Sequence, residues 1–201
     1  MKDELYHHGI KGMKWGVRRY QNPDGSLTEE GKRRYGSGST ADKRVFISGS
    51  SKTQTEDSPY YRKELNKEIS DVIDSFLAEN ADIIVGDAPG IDRQVQDYLN
   101  SKAYEKVFVY GPGENLRYLA NDKWSKNPIP APEFEEGSKE WLAKKDLAME
   151  KASTEGLAII LDEGAAATRK NVERLIENNK DVKIYELSKY GIDYDQWVDH
   201  V

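Results

Sequence analysis

Three short stretches of the sequence combine glycine with hydroxyl or carboxylate side chains, as loops that hold a polar ligand do: Gly49-Ser50-Ser51, Gly86-Asp87-Ala88-Pro89-Gly90-Ile91-Asp92, and Gly164-Ala165-Ala166-Ala167-Thr168. Glycine lets the chain turn sharply and lets a ligand approach the backbone amides, which at a helix start favour an anion. Asp92 could accept hydrogen bonds from ribose hydroxyls or cap amides at the start of a helix, and both readings stand at this point; Asp87 reads more simply as a helix-start acid. Lys145-Asp146 sets opposite charges side by side, but in a chain with 33% charged residues such a pair is often an exposed face. Glu133, Glu135 and Glu136 have the types for paired catalytic carboxylates, although a solvated acidic loop is the better reading. His7 and His8 lack carboxylate or thiol partners at ligand spacing, and the chain has no cysteine, so neither a metal site nor a cofactor is expected.

These stretches need elements to position them, and the apolar pattern supplies the elements. Five short apolar runs read as strands: Arg44-Val45-Phe46-Ile47, Ile83-Ile84-Val85, Val107-Phe108-Val109-Tyr110, Leu157-Ala158-Ile159-Ile160-Leu161 and Val182-Lys183-Ile184-Tyr185. Between them run helical periods: Leu65, Ile69, Val72, Ile73, Phe76 and Leu77; then Ile91, Val95, Tyr98 and Leu99; then Val172, Leu175 and Ile176. Alternating strands and helices predict an α/β fold, a Rossmann-like, mainly parallel five-stranded sheet with helices on both faces. Right-handed crossovers bring the carboxyl ends of the strands to one edge, where Gly49, Gly86, Gly111, Gly113 and Gly164 fall at successive strand ends. The stretch from Trp124 to Trp141, with Pro128, Pro130 and Pro132, opposes a regular element and reads as an insertion or lid leading into a helix near Glu140 to Ser153.

Charge divides the chain. Residues 1–40 hold eight Lys or Arg against five Asp or Glu, which leaves twenty-two against thirty-one for residues 41–201, within a net charge of -6. The division coincides with Tyr35-Gly36-Ser37-Gly38-Ser39-Thr40, whose small residues suit a linker. The expected organisation is an N-terminal tag and linker over residues 1–40 and a ligand-binding body over 41–201. The acidic balance argues against indiscriminate coating of nucleic acid, and no apolar run approaches the ~20 residues that span a bilayer. Absence of cysteine suits a reducing, intracellular setting.

Taken together, Val45-Phe46-Ile47-Ser48-Gly49-Ser50, the segment from Val85 to Asp92, Lys144-Lys145-Asp146-Leu147-Ala148-Met149 and the Gly164 to Thr168 loop resemble the SLOG superfamily, the Rossmann-like group that includes LOG-type nucleoside-monophosphate phosphoribohydrolases and the DNA-processing protein DprA. The likeness spans about residues 43–188. It implies a nucleotide-derived ligand at Gly49, Ser50, Ser51, Gly86, Asp87, Gly90, Asp92, Lys145, Asp146, Gly164 and Thr168. Two departures bear on chemistry. Ala167 stands where the family has a glycine before the threonine, and Asn171 stands where LOG-type enzymes carry a glutamate. Glu173 is two positions further along a helix and faces elsewhere by about 200°. The resemblance therefore implies a binder, to sense or sequester a signal, ahead of an N-glycosidase or phosphoribohydrolase.

The first forty residues resemble a segment that recurs at the ends of otherwise unrelated phage and prophage proteins, carried here by His7-His8-Gly9-Ile10-Lys11-Gly12-Met13-Lys14-Trp15-Gly16 and by Tyr20 to Thr28. The implied setting is the host cytoplasm, with a virion-associated structural or cargo role as the alternative. Residues 6–35 interleave Lys11, Lys14, Arg18, Arg19, Lys32, Arg33 and Arg34 with Trp15 and Tyr20, which suits docking on a phage head or other virion protein, with nucleic acid ranked second. Homo-oligomerisation is compatible with the sequence, which fixes no oligomeric state.

Overall fold

The computed structural model describes residues 43–51, 65–161, 165–187 and 195–199. The N-terminal segment, its Gly-Ser stretch and Gly164 lie outside them. The five expected strands are present as β1 (Arg44–Gly49), β2 (Asp82–Gly86), β3 (Val107–Pro112), β5 (Glu155–Ile160) and β6 (Asp181–Leu187). Two more strands join them, β4 (Ser125–Ile129) and β7 (Asp195–Asp199). The helices are α1 (Lys67–Ala78), α2 (Ile91–Ser101), α3 (Lys139–Ala152) and α4 (Ala166–Glu177). In the sheet the order is β4-β3-β2-β1-β5-β6-β7. The first six strands are mutually parallel, and β7 pairs antiparallel with β6.

The architecture is a Rossmann-like α/β fold, and the parity of the strand residues explains why helices cover both faces. Successive strand side chains point to opposite sides, so a strand buried on both faces is apolar at every position. Val45, Ile47, Ile83, Val85, Val107, Val109, Leu157 and Ile159 pack with Ile69, Ile73 and Phe76 of α1 and Ile91, Val95 and Leu99 of α2. Their neighbours in sequence, Phe46, Ile84, Ala158 and Ile160, pack on the other face with Met149 of α3 and Val172 and Leu175 of α4. Ile176, placed by periodicity on the buried face of α4, is 44% exposed.

The proline-rich stretch departs from its expectation as a wholly irregular insertion. Ser125 to Ile129 add a strand to β3, with Pro128 opposite Gly111. Proline cannot donate to a ladder, and β4 has a neighbour on one side only, the place where a sheet tolerates it. Trp124 anchors the entry: its ring is buried and its indole Nε1 donates to Tyr104 O at 2.8 Å. After β4 the chain turns into α3, whose N-cap Ser138 accepts from Trp141 N at 3.2 Å through its Oγ.

Topology places the candidate site. From β1 the chain steps outward through β2, β3 and β4, then returns to the opposite side of β1 for β5 and β6. The direction of winding reverses between β1 and β5, and in open parallel sheets the crevice for ligands lies outside the carboxyl ends at such a switch point. One turn at this edge is conformationally demanding. Gly90 precedes α2 with φ 90° and ψ -130°, and a Cβ there would lie 2.4 Å from Ser50 O. Gly137 also has a positive φ, 84°, but nothing surrounds its missing Cβ. Both Gly→Ala changes incur backbone strain, yet only Gly90→Ala adds a clash with fixed backbone. We expect Gly90→Ala to cost about 3 kcal/mol and Gly137→Ala about 1 kcal/mol in urea unfolding at 25 °C.

Candidate functional site

At the switch point lies a cavity of about 250 Å³. Gly49, Ser50, Ser51, Asp92, Lys145, Asp146 and Thr168 of the residues expected from the sequence all line it. Gly86, Asp87 and Gly90 are absent from its lining and act from behind it. Ala88, Pro89, Ala165 and Ala167 line it from within the loops named above, whereas Phe46, Ser48, Arg117, Leu142 and Met149 were not assigned to the site; Asn171, noted only as a replacement, also lines it.

The end of β1 is held by Ser50. Its amide donates to Ile159 O at 3.1 Å, its Oγ accepts from Leu161 N at 3.1 Å, and its carbonyl accepts from Ile91 N at 3.1 Å. Ser50 thereby ties β1 to β5 and to the start of α2, while Ser51 is exposed at the rim. Three ion pairs stand behind this turn. Asp92, in the first turn of α2, accepts from Ala88 N at 3.2 Å and from Lys145 Nζ at 3.4 Å. Lys145 lies at the same 3.4 Å from Asp146 Oδ1, and its side chain is 8% exposed. Asp87, with a fully buried side chain, receives three donors from Arg117: the amide at 2.8 Å, Nε at 3.2 Å and Nη2 at 2.5 Å.

The strand-end glycines make room for these pairs. A Cβ at Gly86 would lie 2.0 Å from Asp92 Oδ2 and 2.5 Å from Lys145 Nζ, and one at Gly111 would lie 2.4 Å from Asp87 Oδ2. At Gly49 the missing Cβ is replaced by Ile91, 2.4 Å away. The spacing of glycines at this edge therefore marks close approach of protein side chains.

Asn171 completes the network from α4. Its Nδ2 donates to Ser48 Oγ at 3.0 Å and to Asp146 Oδ2 at 3.3 Å, and its Oδ1 accepts from Arg174 Nη1 at 2.9 Å. The amide orients Asp146 but cannot exchange a proton as a carboxyl group would. Burial pushes the Asp92 carboxyl above its ordinary range, against the pull of Lys145 and with the help of Asp146. Burial also works against the Lys145 ammonium, but Asp92, Asp146 and Asp87 outweigh it and raise its pKa. The lysine stays charged.

The cavity thus presents two kinds of polar surface. Ala165, Ala167 and Thr168 bring it to the start of α4, a helix with no side-chain cap and no acid in its first turn. Its first-turn amides and dipole favour an anion there. At the start of α2 the same amide end faces the buried Asp92, so an anion is disfavoured and a hydroxyl donor is favoured. Ala167 sits in regular helix, where a methyl group is accommodated, and its exposed side chain forms part of the wall. The acidic loop lies elsewhere: Glu133 pairs with Lys144 at 2.7 Å, which lowers its pKa, and Glu135 and Glu136 are exposed. His7 and His8 lie outside the described residues, among which no helix is long and apolar enough to cross a membrane.

Residues 1–22 match DUF7211, a family of unknown function. The match covers about a ninth of the chain, all of it within the N-terminal segment. No SLOG family model matches the body. No curated protein and no solved structure matches the chain.

Among the described residues, Lys145 is the cation paired with the buried Asp92 carboxylate. Removing it with Lys145→Met leaves a buried carboxylate without its counter-charge, and we expect a loss of about 3–5 kcal/mol at pH 7 in urea unfolding. Asp92 then binds its proton more tightly in the folded than in the unfolded chain, whose aspartate pKa is about 3.9. A raised folded pKa means that the penalty grows as pH rises through that window and shrinks as pH falls toward the unfolded value. The deficit of Lys145→Met relative to the parent protein should therefore be smaller at pH 5 than at pH 7. A deficit that is equal at both pH values would refute the assignment of the buried charge.

Proposed function

We propose that the body binds a nucleotide or nucleotide-derived small molecule in the cavity at the carboxyl edge of the sheet, and that it is a SLOG-type module that binds without hydrolysing. The observation that carries this reading is the meeting, in one cavity at the β1/β5 switch point, of an uncapped helix start with carboxylates held by a buried lysine. A phosphate suits the start of α4 near Thr168, and ribose hydroxyls suit Asp92 and Asp146, which can accept their hydrogen bonds. Glycosidic hydrolysis needs an acid or base at the bond that breaks. At the position where LOG-type enzymes carry glutamate, Asn171 is bound to Ser48, Asp146 and Arg174. In a phage or prophage setting, which rests on the N-terminal resemblance, such a module would sense or sequester a nucleotide signal.

Titration calorimetry against nucleoside monophosphates, ADP-ribose, NAD and cyclic nucleotides should find a ligand. Asp92→Asn and Thr168→Val should each weaken it about tenfold, the effect of losing one hydrogen bond to a charged group. Chromatography should find no multiple turnovers to free base. No heat and no thermal stabilisation with any of these compounds would defeat the reading. Multiple turnovers would make the body an enzyme, with Asp92 and Asp146 as its first catalytic candidates.

A second reading concerns residues 1–40. The family match at residues 1–22 stands apart from the body, which favours a segment used as a portable unit. Its interleaved cations and aromatics suit an acidic surface on a phage head or other virion protein. Residues 1–40 fused to an unrelated reporter should enter purified particles, and Trp15→Ala should reduce the amount recovered. Equal partition of tagged and untagged reporter into particles would count against docking, and strong binding of the peptide to DNA would favour nucleic acid as its partner.

A further inference from the structure

A second cavity, of about 430 Å³, is built from the end of β3, the turn that follows it, and the chain from Pro130 into α3. Its polar groups lack partners within the body. Trp141 is 8% exposed, yet among the described residues no acceptor meets its indole Nε1. A buried indole N–H ordinarily has one, as that of Trp124 has in Tyr104 O. Gly113, at φ 84°, leaves the space beside this edge of the ring open: a Cβ there would lie 3.0 Å from Trp141 Cζ2 and 3.9 Å from Cε2, the atom that bears Nε1. Glu114 and Glu136 stand at exposed positions of the same cavity, and among the described residues neither pairs with a cation. Arg117, the cation of the lining, is taken by Asp87. Phe134, Pro112, Pro130 and Pro132 supply apolar wall.

An occupant that satisfies this lining brings an acceptor for the indole, positive charge for the carboxylates and apolar surface for the wall. A free amine brings the charge without the acceptor. A sugar brings acceptors but needs an open ring face, and Trp141 is mostly covered while Lys144 Nζ lies 5.4 Å from the centroid of Phe134. An extended polypeptide brings all three, because a polyproline II segment leaves its carbonyls without internal partners and its prolines pack on aromatic walls. The charge of residues 41–201, twenty-two Lys or Arg against thirty-one Asp or Glu, favours a basic one. We infer that this cavity is a docking site for an extended, proline-containing basic segment of a partner protein, with a peptide carbonyl on Trp141 Nε1 and arginine or lysine on Glu114 and Glu136. The inference does not depend on the nucleotide-binding reading above.

Fluorescence anisotropy of a labelled peptide of five Arg-Pro repeats, titrated with the full chain, is the test. The peptide should bind, with an affinity that falls as salt rises. Glu114→Gln together with Glu136→Gln, at exposed positions where the fold is not at risk, should weaken binding about fivefold or more at low salt. Trp141→Phe, which keeps a ring and removes the N–H, should weaken it about fivefold. Spermine and a peptide of five Arg-Gly repeats should each compete about tenfold less well than the Arg-Pro peptide. No binding overturns the docking site. Binding that survives the glutamate changes lies elsewhere on the acidic body and overturns it too. Spermine or the Arg-Gly peptide competing as well as the Arg-Pro peptide would show that charge alone is read, and displacement by maltotriose would make the cavity a sugar site; either result overturns the inference.

Discussion

The arrangement of the candidate site depends on one buried contact, the Lys145 ammonium between Asp92 and Asp146. Asp92 belongs to α2 on one face of the sheet, and Lys145 and Asp146 belong to α3 on the other. The two meet over the end of β2 because Gly86 has no side chain to separate them. Desolvating such charges is expensive, and burial disfavours both the lysine and the aspartates. The ion pair persists because the carboxylates compensate the lysine and because Ala88 N and Asn171 Nδ2 supply further donors. A cluster of this kind fixes the relation of the helices on the two faces and so fixes the walls of the cavity.

The same device occurs one strand further out. Gly111 ends β3 as Gly86 ends β2, and the space that it leaves accepts the Asp87 carboxylate with Arg117 upon it. Two glycines, two buried carboxylates and two cations line up along the carboxyl edge. Their physical consequence is a set of acceptors and donors whose positions are settled before any ligand arrives, which lowers the ordering cost of binding. Among the described residues the first turn of α4 holds no acid while that of α2 holds Asp92, and that difference between helix starts gives the cavity its polarity.

Much of the fold is legible in the sequence. The five apolar runs and the helical periods of α1 and α2 depend on local alternation, and side-chain parity follows from strand geometry, so each can be read without knowing what packs where. β4 was not legible, because Pro128 argues against a strand and only a place at the sheet edge, beside β3, makes it acceptable. Ile176 keeps the spacing of a buried residue, yet 44% of it is exposed.

The sequence by itself determined the residue types of the site and the order in which they reach the carboxyl edge: the Gly-Ser turn, the Gly86 to Asp92 segment, Lys145-Asp146 and Thr168. Only the tertiary structure decided what the glycines are for, since whether a missing Cβ admits a ligand or a neighbouring ion pair depends on helices distant in the chain. It also decided that Lys145 is buried, because its place between Trp141 and Met149 on one side of α3 gains meaning only when that side meets the sheet. Arg117 gave no periodic signal at all. Its role is set by Asp87, thirty residues earlier, and a contact over that distance exists only after β2 and β3 lie side by side.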